Sequence, residues 1–374
     1  GQLVNLTLLN ISDNLLLSGP IPLTFIYLPL DTFYFTNTAL CEPTDEAFLT
    51  WKANVLNWDG TDVICQEDFT CTLVSEIPTL ECEALVALYN STAGDSWTTN
   101  TNWLTTTWPW YGVTVAEGYV QQVLLYGNNL TGVLPAALKD LTHLTFLDLG
   151  HNLIGGSIPV EIGNITTLTH LYLFDNQLGG GIPESLGNLT SLLRLSLYDN
   201  LLSGSIPSAL GLLSNLTYLN LQQNDLSGSL PVDLGNLIHL QNLYLGANTL
   251  SGGIPASFGS LTSLQNLSLE WNQLEGSIPV ELGALANLNN LILYQNQLSG
   301  SIPVELGDLI ALNTLELNNN QLEGSIPSEL GNLVNLGSLA LNNNLLSGSL
   351  PEELGQLVNL TLLNISDNLL LSGP

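Results

Sequence analysis

The chain contains very few basic residues, and this shortage limits the partners it can have. Lys52, Lys139 and Arg194 stand against 33 acidic residues, which gives a formal net charge of -30. Nucleic acids and anionic membrane surfaces are negatively charged, so a surface of this charge repels them. We therefore expect neither as a partner, and side-by-side packing of copies would require screening by salt or divalent cations.

Methionine and long apolar runs are also absent. The longest apolar stretch, around residues 21–30, contains two prolines and is too short to cross a bilayer, so we expect no membrane span. Because no methionine and no leader peptide open the chain, we expect a mature or excised piece of a protein.

Cysteine is scarce and confined to one segment. Cys41, Cys65, Cys71 and Cys82 allow three pairings, of which we favour Cys41 with Cys65 and Cys71 with Cys82. Disulfides predict an oxidising, extracellular compartment. The alternative is four free cytosolic thiols.

What the chain does contain is a strict 24-residue period. It is marked by asparagines at Asn128, Asn152, Asn176, Asn200, Asn224, Asn248, Asn272, Asn296, Asn320, Asn344 and Asn368. Around each runs L-x-x-L-x-L-x-x-N-x-L, as in Leu288, Leu291, Leu293 and Asn296. The L-x-L alternation predicts a short strand, and parallel stacking of such strands buries one leucine face of each turn. The asparagine amides are predicted to form a structural ladder that satisfies backbone groups at the corner after each strand.

A second motif follows each asparagine. G-x-[IL]-P recurs from Gly132 and Pro135 to Gly348 and Pro351, and the glycine permits unusual backbone geometry while the proline starts a short helix. These features predict an α/β solenoid with a parallel sheet on its concave face, short helices and loops on its convex face, and helical caps.

Segments such as "LSGSIPVELGDLIALNTLELNNNQLEG" resemble the plant-type leucine-rich repeat, whose signature is S-G-x-I-P followed by L-G-x-L. The resemblance covers roughly residues 119–374 and implies the leucine-rich-repeat fold. It implies little about function, because the family includes receptors, inhibitors, adhesins and scaffolds.

A longer period surrounds the short one. Residues 1–20 recur without change as residues 355–374, whereas residues 331–350 match that segment at only 9 of 20 positions. This indicates a larger unit of 354 residues, in which residues 1–20 are the last turn of a preceding unit. The alternative is that one of the two copies is artificial.

The stretch between the arrays is predicted to hold two caps. Residues 21–66 form a C-terminal cap with a helix capped by Thr44, and they resemble a C-terminal segment of bacterial surface leucine-rich-repeat proteins. Their asparagine register slips by one residue, as expected where stacking ends. Residues 67–78 are a linker, residues 79–118 an N-terminal cap whose helix is capped by Thr79, and residues 119–374 the solenoid.

Aromatic side chains occupy exposed strand positions that are predicted to lie on the concave face. They are Tyr126, Phe146, Tyr172, Phe174, Tyr198, Tyr218, Tyr244, Trp271 and Tyr294. Such rings suit a glycan ligand, a peptide ligand or a neighbouring unit. The alternative is that tyrosine simply favours exposed strands.

Other polar groups have simpler interpretations. His151, Asp175 and Asp199 occupy the same position in successive turns, where a solvated polar edge is favoured over a cation site. Possible glycosylation sites are Asn5, Asn10, Asn90, Asn129, Asn164, Asn188, Asn215, Asn266, Asn359 and Asn364. No catalytic grouping or phosphate loop is present in the sequence, so we expect no enzyme, cofactor or metal.

Two functions remain. The leading hypothesis is an extracellular structural protein whose 354-residue units join copies end to end into filaments. The alternative is a cell-surface adhesin or receptor ectodomain that binds a glycan or peptide on its aromatic concave face.

Overall fold

The computed structural model describes residues 3–61, 63 and 69–372. It contains two compact units, residues 1–73 and 74–374. The boundary between them falls inside the predicted linker. Within the described ranges, no helix is long and apolar enough to cross a membrane.

The first unit continues the repeat pattern beyond residue 20. Its elements are β1 (Leu8–Asn10), β2 (Ser18–Pro20), η1 (Leu23–Tyr27), β3 (Thr32–Tyr34), β4 (Ala39–Cys41), α1 (Glu46–Lys52), β5 (Asn57–Asp59) and η2 (Cys71–Leu73), where η denotes a 3-10 helix. The strands form two parallel sheets, β1-β3-β5 and β2-β4. Phe33, Phe35 and Phe48 are fully buried in the core, so aromatic rings replace leucines where the unit closes.

The register of the first unit does not slip as predicted. Asn37, like Asp13 of the preceding turn, has a left-handed backbone, and its amide donates to the Asp13 carboxylate. Thr38 therefore holds the ladder position, where its hydroxyl donates to the carbonyl of Phe35 at 2.7 Å. The apparent slip in the sequence arises because Asn37 is a turn residue, the counterpart of Asp13, and not a ladder residue.

Two predicted helix caps are also wrong by one residue. Asp45, not Thr44, caps α1, because its carboxylate accepts the Phe48 N–H at 2.8 Å. The helix predicted after Pro78 is α2 (Thr79–Ser91), in which Thr79 is the first helical residue and Pro78 precedes it without a side-chain cap. Proline suits this place because its fixed φ and missing N–H cost nothing there.

The second unit opens with α2, η3 (Gly94–Ser96) and the antiparallel pair β6 (Val113–Ala116) and β7 (Tyr119–Leu124). Helix α2 buries Leu85 and Leu88. The rings of Trp97, Trp103 and Tyr89 contact one another beside it. Large rings bury enough apolar surface to close the N-terminal end of the stack.

The repeats then follow one another as short strands. They are β8 (Thr131–Val133), β9 (Phe146–Asp148), β10 (Leu153–Gly155), β11 (His170–Tyr172), β12 (Gly179–Gly180), β13 (Arg194–Ser196), β14 (Leu201–Gly204), β15 (Tyr218–Asn220), β16 (Asp225–Ser229), β17 (Asn242–Tyr244), β18 (Thr249–Gly252), β19 (Asn266–Ser268), β20 (Gln273–Ser277), β21 (Asn290–Ile292), β22 (Gln297–Ser301), β23 (Thr314–Glu316), β24 (Gln321–Gly324), β25 (Ser338–Ala340), β26 (Leu345–Ser349), β27 (Leu362–Asn364) and β28 (Leu370–Ser372).

Alternate strands make two different sheets. The long sheet has the order β27-β25-β23-β21-β19-β17-β15-β13-β11-β9-β7-β6 and is parallel except for β6. A second parallel sheet of nine strands runs from β12 to β28, and β8 pairs with β10. The second sheet was not predicted, because the L-S-G-S segments that form it contain glycine and serine, which strands disfavour.

Helices of five residues connect the sheets on the other side of each turn. They are η4 (Ala136–Asp140), η5 (Val160–Asn164), η6 (Glu184–Asn188), η7 (Ser208–Leu212), η8 (Val232–Asn236), η9 (Ala256–Ser260), η10 (Val280–Ala284), η11 (Val304–Asp308), η12 (Ser328–Asn332) and η13 (Glu352–Gln356). Each follows a proline. Leucines such as Leu147, Leu149 and Leu195 are fully buried between the layers, and each contributes about 1.5–3 kcal/mol.

The asparagine ladder lies where each strand of the long sheet ends. The Asn200 amide donates to the carbonyls of Leu173, Leu197 and Tyr198 at 3.0, 3.1 and 3.3 Å, and its oxygen accepts the Leu178 N–H at 3.0 Å. The same contacts recur from Asn152 to Asn368. One side chain therefore ties together backbone groups of two adjacent turns.

Candidate ligand-binding surface

The exposed side of the long sheet, here called the sheet face, carries the predicted binding residues. In the three-residue strands from β9 to β25 the middle residue is buried and the outer two point away from the core, as in β11, where Leu171 lies between His170 and Tyr172. In-register parallel pairing places equivalent residues of adjacent turns about 4.8 Å apart. Residues 24 apart in sequence therefore form continuous columns across the face.

Five of the nine predicted aromatic residues form one connected group of rings. The ring of Phe174 lies parallel to that of Tyr198, with centroids 4.9 Å apart, and lies 6.0 Å from Tyr126 and 6.2 Å from Tyr172. Tyr172 contacts Phe146 edge to face at 5.4 Å. We call these five residues the aromatic patch.

The other four predicted aromatic residues form two separate pairs. Tyr218 and Tyr244 lie 5.7 Å apart, and Trp271 and Tyr294 lie 6.3 Å apart. Each pair spans adjacent turns. The sheet face therefore presents three groups of rings rather than one continuous row.

Two basic residues that the sequence analysis did not select lie within this surface. The His170 ring stacks on Phe146 with centroids 4.6 Å apart. The Arg194 guanidinium lies 5.6 Å from the ring centroid of Tyr218. Burial, and then the charge of Arg194, lower the pKa of His170, which favours the neutral imidazole. The sequence does contain a signal for Arg194, because the only arginine in the chain occupies an outward strand position.

Arg194 also connects the aromatic patch to the Tyr218 pair. Burial raises the pKa of Tyr172, and the charge and hydrogen bonding of Arg194 oppose that rise. Among the described residues, no carboxylate forms an ion pair with Arg194. Its guanidinium donors therefore face a cluster of rings and solvent.

Beyond Tyr244 the sheet face becomes rich in amides and carboxylates. Asn266 donates to the side-chain oxygen of Asn242, and Asn290 donates to that of Asn266. Burial, followed by the nearby Glu270, raises the pKa of Glu316. This half of the face provides hydrogen-bonding groups and negative charge.

The row of His151, Asp175 and Asp199 has a backbone explanation. All three residues have φ values between 51° and 55°, in the left-handed region that Asp, Asn and His tolerate better than most side chains. His151 contacts the Asp175 carboxylate. In the described part of the chain no group of three or more His, Cys, Asp or Glu residues is arranged to hold a metal ion.

The remaining predicted sites lie at the surface or in disulfides. Of the ten asparagines proposed for glycosylation, Asn266 and Asn364 are half-buried and the other eight are exposed. Cys41, Cys71 and Cys82 are each disulfide-bonded. Cys65 lies outside the described residues, so the pairing stays a prediction.

Comparison with known proteins identifies leucine-rich repeats in this chain. The "Leucine rich repeat" family matches residues 119–178, and the "Leucine-rich repeat region" family matches residues 200–329. No curated protein sequence matches the chain.

Several solved structures are similar. The PEPR1-AtPEP1 structure shares 32% identity over 78% of this chain and 42% of its own, with a TM-score of 0.72. The ectodomain of the Arabidopsis receptor kinase HAESA, solved with an IDA peptide hormone ligand, shares 34% identity over 79% of this chain and 52% of its own, with a TM-score of 0.69. A plant ice-binding protein shares 28% identity over 74% of this chain and 90% of its own, with a TM-score of 0.63. The chain thus spans about half the length of the PEPR1 and HAESA chains.

Proposed function

Because this chain is a leucine-rich-repeat protein, we propose that its solenoid is an extracellular ligand-binding domain that holds an extended peptide across the aromatic patch. The observation that carries the proposal is the connected group of rings from Tyr126 to Tyr198, with Arg194 at its edge. Tyrosine and phenylalanine provide a large contact area and lose little conformational entropy on binding. The peptide-bound HAESA ectodomain supports this choice over the filament hypothesis.

The charge of the protein narrows the class of peptide. A formal net charge of -30 attracts cationic partners over long range and accelerates their association. Arg194, unpaired with any described carboxylate, supplies hydrogen-bond donors for carbonyl or carboxylate oxygens of the bound chain. The expected ligand is therefore an extended peptide of net positive charge that contains apolar side chains.

A selection experiment tests this proposal. Random peptides displayed on phage are selected against the purified chain, and the Kd of each enriched peptide is measured by calorimetry. Tyr198→Ala, within the aromatic patch, and Tyr218→Ala, which removes the ring that Arg194 lies over at the edge of the patch, are expected to weaken binding at least about tenfold, or about 1.4 kcal/mol each. Asn342→Ala, on the same sheet face but six turns from Tyr198, is the matched control and should leave Kd within about twofold.

Two outcomes contradict the peptide proposal. One is that no peptide is enriched over a denatured control. The other is that enriched peptides bind the tyrosine variants as tightly as the parent chain. If the parent chain binds glycans on an array and the tyrosine variants do not, the aromatic patch is a glycan-binding site instead.

The repeated 20-residue segment favours a second candidate, end-to-end assembly of copies. β1 and β27 have the same sequence, Leu-Leu-Asn, yet β1 pairs with β3, which follows it, and β27 pairs with β25, which precedes it. The same segment therefore accepts a parallel neighbour on either side. Leu363 is 46% exposed, whereas its equivalent Leu339 in the preceding turn is fully buried.

Assembly is tested by electron microscopy and by the mass of the reduced, denatured protein. Long uniform fibres that dissociate to a single band near 40 kDa support non-covalent stacking, and a ladder of larger bands supports covalent units. Dispersed particles at micromolar concentration, in about 150 mM salt, contradict assembly of this chain.

A further inference from the structure

Trp271 occupies a position for which a tryptophan is poorly suited by backbone conformation. It follows a strand of the long sheet and has φ +52°, as the equivalent residues Gln223, Ala247 and Gln295 do at similar angles. A bulky side chain in the left-handed region carries a cost of about 1–2 kcal/mol. The equivalent residues of the other repeats share this backbone, so the conformation belongs to the repeat, and Trp271 is set apart by a large ring that remains 54% exposed. Tryptophan is enriched at binding surfaces, so an exposed indole suggests a role in binding.

The neighbours of Trp271 differ between the following and the preceding turn. On the side of the following turn, the Tyr294 ring contacts the indole at 80°. On the side of the preceding turn, the equivalent residue is only Ala247, whose N–H donates to the Glu270 carbonyl. The indole therefore has a ring neighbour in the following turn, and the equivalent position of the preceding turn carries only a methyl side chain.

The carboxylate of Glu270, the residue before Trp271 in the chain, is held by three contacts. Its carboxylate accepts hydrogen bonds from the Gln222 amide at 2.9 Å and from the Ser268 hydroxyl at 2.5 Å. It also lies over Gly246, where an added Cβ would come within 2.3 Å of it. A glycine at this place leaves room for the carboxylate, so its position is set before any ligand binds.

We propose that Trp271 and Glu270 form a subsite for one ring of a neutral β-linked hexopyranoside. A pyranose with equatorial hydroxyls has an apolar C–H face that matches an indole face and polar edges that match carboxylate and amide groups. The fixed carboxylate and the net charge of -30 disfavour anionic sugars. The proposal is independent of peptide binding at the aromatic patch, which lies several turns away.

Fluorine NMR tests the subsite in the full chain. The protein is labelled with 5-fluorotryptophan at its seven tryptophans, and the Trp271 signal is assigned with Trp271→Phe. Cellopentaose and chitopentaose are expected to shift the Trp271 signal selectively, with millimolar Kd. The Kd values of the variants are measured by calorimetry, because the variants lack that signal: Trp271→Ala should weaken binding at least about tenfold, whereas Trp271→Phe, which keeps a ring, should stay within about threefold.

The controls distinguish stacking on Trp271 from nonspecific carbohydrate binding. Tyr126→Ala removes a ring that is 56% exposed on the same sheet face and should leave Kd unchanged. An oligogalacturonate of the same length should not bind. The proposal is overturned if both neutral pentasaccharides leave the Trp271 signal in place at about 10 mM, or if Trp271→Ala binds them as the parent does. Unchanged peptide binding by Trp271→Ala shows that either proposal can fail without the other.

Discussion

At the scale of single residues, the ladder asparagines carry the most hydrogen bonds per side chain among the described residues. From Asn152 to Asn368, each amide donates to carbonyls of its own turn and of the preceding turn and accepts a backbone N–H, as Asn224 does. Asn128, which was predicted to belong to the ladder, instead exchanges hydrogen bonds with the backbone of Thr99. A side-chain amide carries both N–H donors and an oxygen acceptor, and asparagine presents it on a shorter stem than glutamine does. This explains why asparagine recurs at these positions while its neighbours vary.

We expect Asn200→Ala to destabilise the second unit by about 2–4 kcal/mol, because it leaves several buried backbone groups without partners. Urea unfolding followed by circular dichroism measures the change. Asn215→Ala is the matched control, since Asn215 is exposed and donates only to the Thr190 carbonyl; its effect should stay within about 0.5 kcal/mol. Equal midpoints for the two variants would contradict the role of the ladder.

At the scale of elements, the glycine in each five-residue helix controls how closely adjacent turns pack. A Cβ at Gly331 of η12 would lie 2.5 Å from the carbonyl oxygen of Glu353 in η13. A Cβ at Gly235 of η8 meets the Ser257 carbonyl at the same distance. The L-G pair of the repeat therefore reflects contact between helices rather than backbone freedom.

Gly331→Ala is expected to lower stability by about 1–3 kcal/mol, because the added methyl pushes η12 and η13 apart. Gly355→Ala makes the same substitution at the same repeat position, but nothing lies within 4 Å of the new Cβ. Differential scanning calorimetry of both variants should show a lower Tm for Gly331→Ala only. A similar loss in both would mean that backbone conformation, not packing, selects this glycine.

At the scale of the whole molecule, negative charge opposes folding of a chain that contains only three Lys and Arg residues. Compact packing brings like charges closer than they are in the unfolded chain, and salt reduces this repulsion once the Debye length falls below their separation. The negative charge thus lowers the free energy of unfolding and disfavours anionic ligands.

The unfolding midpoint should therefore rise when NaCl increases from about 10 mM to about 500 mM, where the Debye length falls from about 30 Å to a few ångströms. Thermal unfolding monitored by circular dichroism checks this. NaCl, KCl and CsCl should act equally if the effect is screening. A midpoint that is unchanged or lower at high salt would contradict it.

Residues whose role is set within one turn could be predicted from the sequence. The leucines, the ladder asparagines and the prolines before the helices repeat every 24 residues, because each turn solves the same packing problem in the same way. The leucine-rich-repeat fold follows from that period alone, and the family matches confirm it. The caps of α1 and α2 were each misplaced by one residue, since local preference alone does not distinguish Thr44 from Asp45.

Only the tertiary structure decided which side chains meet across turns. It joined Tyr126 to Tyr198 in one patch, placed the Arg194 guanidinium over the Tyr218 ring, and fixed the Glu270 carboxylate through Gln222. It also assigned the glycine- and serine-rich segments to a second sheet. A period states which positions share a column, but ring angles, hydrogen bonds and the space beside a glycine depend on the particular residues of neighbouring turns.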